Sequence, residues 1–237
     1  MRIGLVDVDG RGFPNLVLMK LAAWHKARGD TVEFADPEAG RYDKVYMSKV
    51  FTHSPDCRDE YPCEVVRGGT GYRDYATVLP EEVEHTCPDY SLYGVGEAYG
   101  FLTRGCPNRC PGCHSPQLQE PIGEPLTEEV VERLLARYGA AVTCFCLMGG
   151  DAEPHEAARL ALFARRLRPA LRTGWYSGRA ALPEGFDPTG VFDYVKLGPY
   201  IAARGPLDDP ATNQRLWRIR PDGRREDLTP RFWRKRG

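Results

Sequence analysis

The stretch Arg104-Gly-Cys-Pro-Asn-Arg-Cys-Pro-Gly-Cys-His-Ser-Pro116 decides how the rest of the chain is read. Cys106, Cys110 and Cys113 stand in a C-x3-C-x2-C pattern. Pro107 and Pro111 break any helix or strand through it, so the thiols sit on a loop folded around something. Gly105 and Gly112 let the backbone come close to that object, because they carry no Cβ. Soft thiolates select zinc, copper(I) or iron–sulfur clusters. Structural zinc wants four ligands, usually as two close pairs, and no second pair of matching spacing accompanies this run. A [4Fe–4S] cluster is normally held by four cysteines. Three would leave one iron without a protein ligand, open to a small molecule. A zinc knuckle completed by His114 and three unrelated loop cysteines are the competing readings.

C-terminal to the loop, Thr127-Glu-Glu-Val130 predicts a helix start. Thr127 caps it and Glu128 and Glu129 favour its positive end. Val130, Val131, Leu134, Leu135 and Tyr138 supply the apolar face. Residues 141–148 read as a buried strand that puts Cys144 and Cys146 on one face as small core residues. Gly149-Gly-Asp151 ends this strand. Two glycines admit a ligand against the backbone, and a carboxylate accepts hydrogen bonds from an ammonium. A plain strand-to-helix turn with a capping Asp is the other reading. A helix over 155–167 and strands over 172–176 and 192–197 complete repeated β/α units, which predicts a parallel sheet with right-handed crossovers. Cys106, Gly149, Ser177 and Lys196 then lie near strand C-termini, where such sheets gather their functional residues.

In the N-terminal direction, the apolar run 3–8 predicts a strand, the amphipathic stretch Leu16 to Arg28 a helix closed by Gly29, 31–34 a second strand, and the stretch 43–51 contains a third. This order suggests an open sheet of Rossmann type. Asp7 and Asp9 follow the first strand and read as turn or cap residues. His53, Cys57, Cys63 and Cys87 fit no metal-ligand spacing and read as scattered thiols and a lone imidazole. Gly68-Gly-Thr-Gly71 reads as a strand-end turn. Residues 72–97, rich in Tyr, Pro and acidic groups, read as a connecting segment packed on the surface.

The chain has 237 residues, 42% hydrophobic and 27% charged, which fits one large or two small globular domains. A net charge of −1 provides no basic field for nucleic acid. No apolar run reaches membrane-spanning length and no signal peptide is visible, so the expectation is a cytoplasmic protein with neither membrane nor nucleic-acid partners. Eight cysteines in such a setting point to metal or redox chemistry before disulfides.

The cysteine loop resembles the signature of radical S-adenosylmethionine (SAM) enzymes, and Gly149-Gly-Asp151 resembles the motif with which they hold the SAM amino group. Residues 99–237 resemble the activating proteins of anaerobic (class III) ribonucleoside-triphosphate reductase, through Gly105 to His114, Met148 to Pro154, Gly174-Trp-Tyr-Ser-Gly178, Tyr194 to Tyr200 and Thr212 to Leu216. Residues 1–98 resemble the cobalamin-domain-like region of some radical SAM proteins. Asp9 stands where a D-x-H-x-x-G pattern would carry its cobalt-ligating His, so cobalamin ligated by that position is not expected. The implied fold is α/β: an N-terminal Rossmann-like open sheet followed by a partial (β/α) radical SAM barrel. The implied cofactors are a [4Fe–4S] cluster on Cys106, Cys110 and Cys113 and SAM. Gly149, Gly150 and Asp151 would hold its amino group, and Lys196 and Asn213 its other polar groups. The implied activity is reductive SAM cleavage and hydrogen abstraction from a glycine of a partner reductase, with a reductant such as flavodoxin or ferredoxin. Modification of a peptide or small molecule, and a non-catalytic metal-binding module, are the alternatives.

Overall fold

A computed structural model describes residues 1–101, 106–109 and 125–233. The chain divides into two compact units, Met1–Val95 and Gly96–Gly237. The class is α/β, with a parallel sheet in the first unit and a mixed sheet in the second. No helix among the described residues is long and apolar enough to cross a membrane.

In the first unit, β1 (Arg2–Asp7) is followed by α1 (Leu16–Ala27), β2 (Thr31–Phe34), β3 (Lys44–Ser48), β4 (Glu64–Gly68) and a short α2 (Glu81–Glu84). The strands pair in the order β2-β1-β3-β4, all parallel. Ile3 and Leu5 from β1 meet Leu18, Leu21 and Ala22 from α1 in one buried cluster. Asn15 starts α1: its carboxamide oxygen accepts the Leu18 N–H, and its nitrogen donates to Ser48 Oγ at the end of β3. The helix is thereby indexed to the sheet.

The segment after β4 lies on the surface over residues 73–82, as its composition suggests, but from Val83 onward it enters the core. Val83 is 2% exposed and Tyr90 3%, and Val83 belongs to the core cluster. Backbone and side chains fasten the segment to α1: Asp89 N–H donates to the Met19 carbonyl, and Lys20 and Lys26 pair with Glu84 and Asp89. The Gly68–Gly71 turn wraps Lys49. A Cβ on Gly69, at φ 106°, would sit 2.2 Å from the Lys49 carbonyl oxygen, so this turn needs glycine for backbone reasons.

The strand order changes direction between β1 and β3, the place where open α/β sheets usually bind ligands. Here Asp9 turns inward, and its carboxylate accepts the N–H groups of Val50 and Phe51. It clamps the loop after β3. Asp7 accepts a hydrogen bond from the Tyr93 hydroxyl at 2.6 Å. Burial pushes its carboxyl up from 3.8 to about 6; the Tyr93 hydrogen bond opposes the shift, Asp9 adds to it and Arg11 opposes it. Between these two values the folded state keeps a proton that the unfolded state has lost, so Asp7 costs stability as pH rises through that window. Asp7→Asn mimics the protonated form and still accepts from Tyr93. It is expected to raise the thermal midpoint near pH ~7.5 and to change it little near pH ~4, checked by circular-dichroism melts.

In the second unit, β5 (Glu97–Phe101), α3 (Glu128–Tyr138), β6 (Cys144–Met148), α4 (Pro154–Leu167), β7 (Arg172–Tyr176), β8 (Tyr194–Leu197), β9 (Arg215–Ile219) and β10 (Arg225–Asp227) follow in turn. The order is β10-β9-β8-β7-β6-β5. Strands β5 to β8 are parallel, but β9 runs antiparallel to β8 and β10 antiparallel to β9, so the expected all-parallel sheet is mixed at one side. Two crossovers contain helices, whereas β7 reaches β8 through a helix-free loop over residues 177–193. That loop inserts Phe186 and Phe192 against Trp175, with Phe192 stacked on the indole at 5.8 Å. Thr127 caps α3 by accepting the Val130 N–H, as its position predicts. Cys144 and Cys146 are buried neighbours, 3.6 Å apart at sulfur. Gly174 on β7 leaves the room they need: a Cβ there would lie 3.1 Å from Cys146 Sγ.

Candidate functional site

The C-terminal ends of β6, β7 and β8 converge. At Gly149 and Gly150 the backbone takes φ values of 83° and 74°, a left-handed pair that only glycine adopts without strain. Two bonds pin this turn to β7: Gly149 N–H donates to the Tyr176 carbonyl, and the Trp175 indole N–H donates to the Gly149 carbonyl at 2.8 Å. Asp151 follows immediately. Helix α4 starts from Glu153 with no side-chain cap, so Asp151 is not a capping residue.

Asp151 is 3% exposed. Its Oδ2 accepts the Gly178 N–H at 2.9 Å, just beyond β7, and a hydrogen bond from the Asn108 carboxamide in the cysteine loop. Its Oδ1 is buried and has no hydrogen-bond partner among the described residues. Arg179 is adjacent, but its guanidinium spends two N–H groups on the Asp151 backbone carbonyl. A buried carboxylate with an unused oxygen is costly until a donor or cation meets it. That orphan oxygen fits the ammonium of an α-amino acid, the group SAM would present.

Cys106 is half-buried, and Asn108 Nδ2 donates to its sulfur at 3.7 Å. Cys110 and Cys113 lie outside the described residues, and His114 with them. The donor set fits the cluster by its chemistry: three thiols in one loop, one of them hydrogen-bonded to a residue that reaches Asp151. Lys196 Nζ donates to the Gly198 carbonyl, and Asn213 Nδ2 to the Pro199 carbonyl. Asn213 Oδ1 is a second buried acceptor without a partner among the described residues. Lys196 sits on β8 and Asn213 in the segment before β9, one connection further from Asp151 than Gly178.

Sequence reasoning assigned no role to Asn108 or Gly178, although both lie in stretches singled out above. Ser177, also near a strand end, is a turn residue: its hydroxyl accepts the Arg179 N–H and its own N–H donates to the Lys196 carbonyl. In the first unit, His53 stacks on Phe51, and Cys57, Cys63 and Cys87 are half-buried. No group of three or more His, Cys, Asp or Glu able to hold a metal ion occurs among the described residues.

Residues 92–177 match the family model of the 4Fe-4S single cluster domain. The matched stretch contains the three cysteines of the loop and Gly149-Gly-Asp151. No curated protein and no solved structure is detectably similar to the chain. The match supports an iron–sulfur protein with a [4Fe–4S] cluster, compatible with an oxidoreductase.

Proposed function

We propose that the second unit is a radical SAM enzyme of the glycyl-radical-enzyme activating type, whose partner is an anaerobic class III ribonucleotide reductase. The observation that carries the reading is the Asp151 carboxylate. It is buried, tied through Asn108 to the cysteine loop, and left with one open oxygen. Cys106, Cys110 and Cys113 would hold the cluster by three bonds. When bound, the cluster supplies the electron that splits the sulfonium C5′–S bond of SAM. The chain does the rest. Asp151 Oδ1 takes the amino group, and the left-handed turn at Gly149 and Gly150 brings the backbone close without side chains in the way. Asn213 Oδ1 offers an acceptor to another polar group of SAM, and Lys196 a cation to its carboxylate. An external reductant such as flavodoxin or ferredoxin supplies electrons. The activase-like series of motifs between Gly105 and Leu216 supports a glycine of a separate chain as the hydrogen donor.

The test mixes reduced protein, SAM and a class III reductase without oxygen and records the electron paramagnetic resonance spectrum. The expected result is a glycyl doublet that requires both proteins. SAM cleavage without a radical on the partner would point instead to modification of a peptide or small molecule.

A further inference from the structure

Asn108 stands between two groups that the proposed chemistry uses separately. Its carboxamide nitrogen has two N–H donors. One is directed at Cys106 Sγ, 3.7 Å away, and the other meets Asp151 Oδ2. The absence of a side chain at position 178 leaves room for this amide: a Cβ on Gly178 would lie 3.0 Å from Asn108 Nδ2 and 3.3 Å from Asp151 Oδ2, tight enough to push the amide aside.

The geometry points to Asn108 as a positioning residue that couples the cluster loop to the amino-group acceptor. Toward Asp151, it occupies Oδ2 together with the Gly178 N–H, so that Oδ1 is the oxygen offered to a ligand. Being neutral, it holds the carboxylate without cancelling its charge. A Lys or Arg there would satisfy Asp151 internally, and an Asp would repel both the carboxylate and the thiolate. Toward Cys106, an N–H donated to a ligating thiolate draws charge from the sulfur. It thereby favours the more negative, reduced state of a cluster bound there, which raises its potential. The inference rests on the proposed function, and one side chain serves both halves of it.

The test uses the full chain, reconstituted anaerobically with iron and sulfide, as wild type, Asn108→Ala and Gly178→Ala. Iron and sulfide content, the cluster's midpoint potential by redox titration, and SAM affinity by equilibrium dialysis are measured on each. Asn108→Ala is expected to keep its iron, to shift the potential to more negative values and to bind SAM about tenfold more weakly, the loss of one hydrogen bond to a charged group. Gly178→Ala leaves Asn108 in the chain but displaces its amide, so both changes should recur there. It also keeps the inference open to refutation if Asn108→Ala fails to hold a cluster. Unchanged potential and unchanged affinity in a cluster-loaded variant would overturn the role, and a change in one alone would overturn the coupling. Wild type that carries a cluster and binds no SAM would sink the proposed function instead, while the potential shift stays readable.

Discussion

Replacing Cys106, Cys110 or Cys113 with Ala is expected to remove most of the protein's iron and to lower SAM cleavage by more than about a hundredfold, beyond what loss of an outer-shell partner costs at a metal site. If the three thiolates hold the cluster as proposed, with no fourth cysteine in the run, the loss of any one would remove a third of the protein's hold on it. The fold should tolerate the change, because Cys106 is only half-buried and lies outside the packed sheet around Trp175. Far-ultraviolet circular dichroism of the single variants should therefore match wild type while iron analysis does not. Full iron content in the triple variant would refute the assignment. Zinc in place of iron, with no sulfide, would favour the non-catalytic metal module.

Asp151→Ala is expected to weaken SAM binding by roughly a hundredfold, and Asp151→Asn by roughly tenfold, with iron content kept in both. The alanine variant loses the charge and leaves the Gly178 N–H and the Asn108 amide without their acceptor. The asparagine variant keeps an oxygen for the Gly178 N–H and the Asn108 amide, but it loses the charge and puts an NH2 donor where Oδ1 faces the ligand. For Asp151→Asn, stability should move the other way from affinity. A buried carboxylate with one unused oxygen is a cost to the ligand-free protein, so Asp151→Asn should melt no lower than wild type and regain stability when the site is empty. Equilibrium dialysis with SAM and melts without it separate the two effects. Undiminished SAM binding by a cluster-loaded Asp151→Ala protein would show that the amino group lies elsewhere.

The local parts of this fold were legible in the sequence. The strands at 31–34 and 172–176, the start of α1 at Leu16 and the Thr127 cap follow from short-range pattern and end chemistry, and the structure has them in place. What failed depends on distant partners. Val83 and Tyr90 are isolated apolar residues among prolines and carboxylates, with no period to betray them. They are buried because α1 has apolar surface left to cover. The antiparallel course of β9 is a property of its pairing with β8, and nothing within 215–219 encodes direction. The site shows the same division. The cysteine spacing and the two glycines could be read directly. The bond from Asn108 to Asp151 spans 43 residues, and no local motif announces it.

The hydrogen bond from Trp175 to Gly149 has a consequence for how the site comes apart. The indole is 0% exposed, and its N–H holds the carbonyl of the turn that carries Asp151. The turn therefore cannot fray by itself in the way surface loops do, since letting go of the carbonyl strands a donor on a fully buried side chain. Opening of the Asp151 turn and loss of the interior belong to one cooperative event. Warming should not produce a folded protein with a slack turn: the Asp151 turn persists until the sheet itself melts.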